Sequence, residues 1–249
     1  MPGNELLRVE GLTALQKNSV RDVSFTLHES EVLGIGGLVG AQRTELMEAI
    51  FGIRSISAGK IFLNGNEVQI RSPREAIRHG FAMLTEDRRE SGLFGVLSVS
   101  DNIVISSLRR CLGKVFLSQK KQDALAKESI EQLKIKTSNP KNAISALSGG
   151  NQQKALIGRW LATKPKILIL DEPTRGIDVG AKYEIYRVIQ ELAKQGMGIL
   201  MISSEMDELL GMSDRILVMC AGKATGILSR NDATQEAVME LATHFSEKE

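Results

Sequence analysis

Hydrophobic positions in this chain follow two patterns, and their order predicts a layered fold. Residues 6–12 (LLRVEGL) and 20–27 (VRDVSFTL) alternate apolar and polar side chains with the period of a half-buried strand, and a polar link, Gln16 to Ser19, joins them. An antiparallel pair is expected there, with a second at residues 58–68 (AGKIFLNGNEV) turning at Asn64-Gly65. Elsewhere the apolar runs are short and continuous: VLGIGG from Val32, then residues 81–85, 167–170 and 198–203. Such runs predict strands covered on both faces, as in a parallel sheet. Between them the apolar spacing lengthens to three and four, the helical period. One helix is expected after the glycines, with Leu46, Ile50 and Phe51 facing the core, another starting at Ser72-Pro73-Arg74-Glu75, and a third over 181–194. Residues 97–140 read as mainly helical with Ser and Asp caps. A closing β pair at 215–219 and 224–228 around Ala221-Gly222, and a last helix over 233–245, complete an α/β chain.

The densest chemistry lies in residues 147–178, LSGGNQQKALIGRWLATKPKILILDEPTRGID. Ser148 is a good N-cap, Gly149 and Gly150 permit a close approach, and the helix they open directs unpaired N–H groups outward, an anion site. The apolar strand delivers Asp171 and Glu172 to the carboxyl edge of the sheet, where open α/β sheets bind ligands. Asp171 is placed to hold Mg2+, Glu172 to orient a water, and Asp178 to reach a second molecule from its turn. A Ser-Gly-Gly alone is usually a flexible turn, and strands ending in Asp-Glu are common. The order of the three is what carries information.

Composition narrows the class. The chain has 249 residues, 42% hydrophobic and 25% charged, enough for a full core plus a smaller lobe. The net charge is +2 with acids and bases interspersed, so no basic stripe argues for nucleic acid. Cys111 and Cys220 stand alone, which argues against disulfides and structural zinc. No apolar run approaches the roughly eighteen residues of a membrane span, and the opening Met1-Pro2-Gly3-Asn4 lacks the features of a signal peptide. His28, His79 and His244 lie outside these motifs and read as surface or packing residues.

The motifs resemble the ATP-binding cassette (ABC) family: LSGGNQQK as its signature, ILILDE as its Walker B strand and GID as its D-loop. The resemblance implies a P-loop NTPase (RecA-like) core with an N-terminal antiparallel β lobe (residues 1–70, with the P-loop), an inserted helical subdomain (93–146) and the remainder of the core (147–249). In that family two cassettes sandwich ATP head to tail. Leu147, Ser148, Gly149, Gly150 and Gln152 would then serve nucleotide held by a partner, with Asp178 crossing the interface. ATP and Mg2+ are the implied cofactors, with Thr44 and Asp171 as metal ligands and Glu172 as the catalytic carboxylate. Leu93, Phe94 and Val96 precede the face where the family receives its transport subunit.

Several positions depart from the family pattern. The loop GLVGAQRTE occupies the place of G-x-x-x-x-G-K-[ST], where backbone wraps phosphates and a compact ammonium reaches the outer two. From Gly37 and Gly40 it supplies Ala41, Gln42 and Arg43 before Thr44, so a side chain replaces the second glycine and a planar guanidinium the lysine. Two readings stay open, weak nucleotide binding and a purely structural remnant. Glu86, within the charge run 86–90, takes the Q-loop position, and Ser204, in ISSEMDELL, the switch-His position. No aromatic stands near Ala14 or Leu15 to stack a base.

This combination resembles the second cassette of tandem ATP-binding subunits of bacterial monosaccharide importers, galactoside importers most closely. It implies a peripheral place on the cytoplasmic face of the inner membrane. The implied partners are the first cassette of the same subunit, transmembrane permease subunits and, indirectly, a periplasmic sugar-binding protein. Such subunits are about twice this length, so the chain is expected to be one half. A nucleic-acid or ribosome-associated cassette and a purely regulatory nucleotide-binding cassette are the rival readings.

Overall fold

Alternating side chains build the first sheet. In the computed structural model, which describes residues 3–113 and 116–244, β1 (Glu5–Ala14) pairs antiparallel with β2 (Val23–His28) and with β4 (Ile56–Leu63), and β5 (Asn66–Val68) pairs antiparallel with β4. Asn64 and Gly65 both take positive φ, 48° and 78°, the backbone a two-residue hairpin requires. The period of two breaks inside β1, where the register slips against both neighbours around Gly11 at φ 57°. Glycine in a strand marks such a bulge.

The second sheet contains β3 (Val32–Gly37), β6 (Phe81–Leu84), β7 (Ile167–Asp171), β8 (Gly198–Ile202), β9 (Arg215–Cys220) and β10 (Lys223–Ser229), in the order β10-β9-β3-β8-β7-β6. All neighbours are parallel except the β9–β10 hairpin. Every residue of β7 and β8 is buried, because alternate side chains feed two cores. Ile167, Ile169, Leu200 and Ile202 pack toward the first sheet and α1 (Arg43–Ile50). Leu168, Leu170, Ile199 and Met201 pack toward α5 (Gly149–Leu161) and α6 (Val179–Lys194). Residues 3–70 are thus shared between the sheets: β3 and α1 belong to the core, and the other strands form the β lobe.

Three helices start where serines cap them. Ser72 accepts from the Glu75 N–H at α2 (Pro73–Arg78), Ser98 from Asp101 at α3 (Val99–Val104), and Ser118 from Lys121 at α4 (Gln119–Gln132). A 3-10 stretch, Ile105–Cys111, continues α3. The stretch expected to be mainly helical, 97–140, leaves helix after Gln132. β6 and β8 each end one residue before the expected bound, and α8 (Gln235–Thr243) is shorter than the run that suggested it, whose end at Phe245 lies outside the described residues. α7 (Met206–Met212), too short to show a period, packs with α8 on β9.

Register decides what the carboxyl edge carries. Ile202, the last residue of β8, lies opposite Asp171 on one side and Ile35 on the other, and Leu84 lies opposite Leu170. The loops after β3, β6, β7 and β8 therefore open side by side.

Candidate nucleotide cavity and signature face

The loop after β3 starts hard against its neighbour. Gly37 sits at φ 146°, where a Cβ would come within 2.5 Å of the Met219 carbonyl oxygen, so no side chain fits. Gly40 follows at φ 84°. The Ala41 carbonyl accepts from the Gly222 N–H at 3.2 Å, which ties the loop to the β9–β10 hairpin. Gln42, at the N-cap position of α1, adopts φ 70° and makes no side-chain cap; its amide Nε2 donates back to the Gly40 carbonyl at 3.3 Å. A left-handed conformation costs a non-glycine residue about 1 kcal/mol, which explains the glycine expected at this place.

Beside Gln42, the three other positions that depart from the family pattern are each engaged by a neighbour. The Arg43 Nη1 donates to the Ser203 carbonyl at 3.1 Å. The Ser204 hydroxyl donates to Glu172 Oε2 at 3.0 Å. Glu86 forms an ion pair with Arg175. Glu172 itself is held at φ 48°, with its N–H donating to the Ile202 carbonyl at 3.0 Å. A strained carboxylate at a strand end is common at functional sites. These residues line a cavity of about 470 Å³ together with Thr44, Glu45 and Asp171.

Asp171 is 1% exposed, and the Thr44 hydroxyl donates to its Oδ2 at 2.8 Å. Burial pushes its carboxyl up to about 6; the Thr44 hydrogen bond opposes the rise and neighbouring Glu172 adds to it. Its other oxygen, Oδ1, is buried without a hydrogen-bond partner. An orphaned carboxylate oxygen beside a hydroxyl is a donor set that fits Mg2+, a hard cation usually held by one or two carboxylates with water and phosphate oxygens.

On the signature face Ser148 holds the N-cap position of α5, but its side chain does not cap. The hydroxyl accepts from Asn151 Nδ2 at 2.9 Å, so the helix's leading N–H groups keep no side-chain partner. Gly150 lies against α6, where a Cβ would sit 2.5 Å from the Ala181 Cβ, and one on Gly149 would sit 3.2 Å from Arg88 Nη2. Gly150 thus serves packing within this chain, whereas the atom nearest Gly149 is the movable end of a side chain. Leu147 is half-buried against the second core, and Gln152 is buried, donating to the Leu147 carbonyl at 3.1 Å and the Ile144 carbonyl at 3.3 Å. It therefore braces the turn before α5 from inside. Asp178 is exposed and caps α6, accepting from the Ala181 N–H at 3.0 Å.

Sequence reasoning missed several polar groups. Arg159, 5% exposed on α5, donates to the Asn102 carbonyl at 2.6 Å, to Asn102 Oδ1 at 2.7 Å and to the Gly92 carbonyl at 2.5 Å. Burial pulls it down to about 10, so it stays a cation at neutral pH. Lys154, 3% exposed, pairs with Glu184 at 2.6 Å and joins α5 to α6. Their signal was available: charges on a helix face that is otherwise apolar. Glu208, buried on α7, accepts from Thr174 at 2.8 Å and from Ser203, and so links the loops after β7 and β8. Arg175 sits in a loop and had no pattern to reveal it.

The ABC transporter family model matches residues 20–175. The chain belongs to the ABC transporter family. Over 245 residues this cassette is 54% identical to a galactose/methyl galactoside import ATP-binding protein of Clostridium tetani, covering 98% of the cassette and 49% of that protein. It is 51% identical to the protein of the same name from Escherichia coli strain K12, over 97% of the cassette and 48% of the relative. The chain thus spans about half the length of the curated relatives it matches. Among solved structures, an ATP-binding cassette of an ABC transporter matches with a TM-score of 0.83 at 21% identity, over 97% of this cassette and 100% of that chain. A cbiO1 protein from Clostridium perfringens, part of a cbiONQ transporter complex, matches at 0.78 and 21%, over 95% and 93% of the two chains. These likenesses establish the α/β cassette fold. No helix among the described residues is long and apolar enough to cross a membrane.

Proposed function

We propose that this cassette acts mainly by completing an ATP site whose P-loop belongs to another cassette, within a transporter that imports a monosaccharide, the galactose or methyl galactoside named for its relatives. The observation that carries the reading is the orientation of Arg43: the P-loop's own cation donates to the Ser203 carbonyl, while the first turn of α5 keeps its N–H groups without side-chain partners. The Ser148 hydroxyl, Gly149 and Gly150 then meet the terminal phosphate of the partner's ATP, where the positive end of the helix stabilises charge, and exposed Asp178 crosses the interface. The partner is the first cassette of the same tandem subunit; permease subunits and, through them, a periplasmic sugar-binding protein complete the assembly at the cytoplasmic face of the inner membrane.

In the cavity of this chain, Thr44 and Asp171 Oδ1 would hold Mg2+, which when bound offsets phosphate charge. Glu172 is placed to orient a water, but its Oε2 is taken by Ser204. Losing one oriented donor at a charge-developing site costs about a hundred- to thousandfold in rate, so turnover here is slow. Titrating the purified partner cassette with this chain tests the reading. Partner ATPase should rise on mixing, and Gly149→Asp should remove the rise, an expected loss of about a hundredfold. Turnover by this chain alone as fast as that of the mixed pair, and lost in Glu172→Gln, would overturn it.

A further inference from the structure

The nucleotide cavity shares a wall with a smaller cavity of about 280 Å³, and that wall is an ion pair between Arg175, in the turn after β7, and Glu86, in the turn after β6. Both side chains are substantially exposed, 64% and 43%. Exposed pairs are weakly held, so a more highly charged anion can displace the carboxylate. The other cation lining the cavity, Arg43, is committed to the Ser203 carbonyl. Glu45, Asp171 and Glu172 make the remaining charged lining acidic. A polyphosphate entering this space has one guanidinium able to turn toward it.

We propose that Arg175 is the phosphate-binding cation of this cavity, in place of the lysine its P-loop lacks, and that Glu86 is a latch that holds Arg175 until a nucleoside di- or triphosphate displaces the carboxylate. The long planar guanidinium reaches from a loop and bonds two oxygens of one phosphate at once, which a cation fixed inside the P-loop turn does not need to do. The proposal rests on the cavity being a nucleotide site. It is independent of the signature's service to a partner.

Equilibrium binding of Mg-ATP, Mg-ADP and AMP to the chain, to Arg175→Gln, to Glu86→Gln and to the double variant tests it. Arg175→Gln should weaken Mg-ATP and Mg-ADP about tenfold while AMP changes by less than about twofold. Glu86→Gln should tighten both polyphosphates about threefold. The double variant should match Arg175→Gln, since the latch then has nothing to hold. Unchanged Mg-ATP affinity in Arg175→Gln overturns the proposal. So does a Glu86→Gln gain that survives in the Arg175→Gln background, because Glu86 would then act by repelling the ligand directly. Absence of Mg-ATP binding in every variant overturns it together with the nucleotide-site reading, whereas partner stimulation and its loss in Gly149→Asp are read on the other cassette and would stand. Both side chains are exposed, and matching thermal midpoints confirm that the variants are folded.

Discussion

The P-loop cavity and the signature face both sit where a glycine-bearing turn opens a helix, yet they treat their polar groups in opposite ways. In the cavity the side chains at the departed positions turn to one another and to backbone: Arg43 to Ser203, Ser204 to Glu172, Glu86 to Arg175. On the signature face Ser148 and Asp178 stay exposed, and the start of α5 is left open. The open end is also the better supported one. Gln152 braces its turn, Lys154 ties it to α6, and Arg159 anchors the far end of the same helix to Asn102 and Gly92. Satisfaction within the chain removes groups from chemistry, and rigid support behind unsatisfied ones prepares them for a ligand.

The contrast breaks most severely at Arg159. Its three acceptors are two backbone carbonyls and an amide oxygen, with no carboxylate among them. Removing the guanidinium takes this donor from the Asn102 and Gly92 carbonyls, while Asn102 Oδ1 keeps the Phe94 N–H at 3.0 Å; a buried acceptor left unpaired costs about 1–3 kcal/mol. Arg159→Met should lower unfolding free energy by roughly 3 kcal/mol in urea titrations. A loss under about 1 kcal/mol would mean that the anchor is dispensable.

Asp171 tests the cavity side. Burial pushes its carboxyl up to about 6, above the usual carboxylate range. A raised carboxyl favours folding while protonated, so this contribution is complete below the unfolded value and is lost as pH rises through about 6. A rise of this size corresponds to roughly 3 kcal/mol. Without Mg2+, Asp171→Asn should therefore be more stable than the parent at pH 8, by an amount that shrinks toward zero near pH 4. Thermal unfolding across that range checks the sign; a variant less stable than the parent at pH 8 would show that Asp171 gains more from its neighbours than burial costs it.

Much of this was legible in the chain because short apolar runs and the period of two report burial directly: β7, β8 and the hairpin at Asn64-Gly65 follow from letters alone. The motif residues at the carboxyl edge were legible for the same reason, since a strand end fixes where Asp171 and Glu172 emerge. What the letters could not carry was direction. Gln152 sits in the signature yet faces inward, and Arg43 keeps its charge yet points at a carbonyl, because rotamers answer to neighbours distant in sequence. Arg175 and Glu86 are 89 positions apart, and only the parallel register of β6 and β7 brings their loops together. The bulge at Gly11 and the brevity of α7 were hidden by local interruptions of period.

The smallest expected effect on stability separates capping from function at one hydroxyl. A serine that caps loses about 1 kcal/mol on truncation to alanine. Ser98 should obey this, since its Oγ accepts from the Asp101 N–H at 3.0 Å. Ser148 has the same N-cap position, but its Oγ accepts from a half-buried amide side chain, Asn151, and from no backbone N–H of α5. Ser148→Ala should therefore cost under about 0.5 kcal/mol in unfolding measurements, while the partner's ATPase in the mixed assay falls roughly tenfold or more for loss of a donor to developing charge. Ser98→Ala should do the reverse, lowering stability and leaving partner turnover near the parent's. If Ser148→Ala destabilised as much as Ser98→Ala and left turnover unchanged, the open start of α5 would be an ordinary helix end, and the asymmetry between the two faces would lose its meaning.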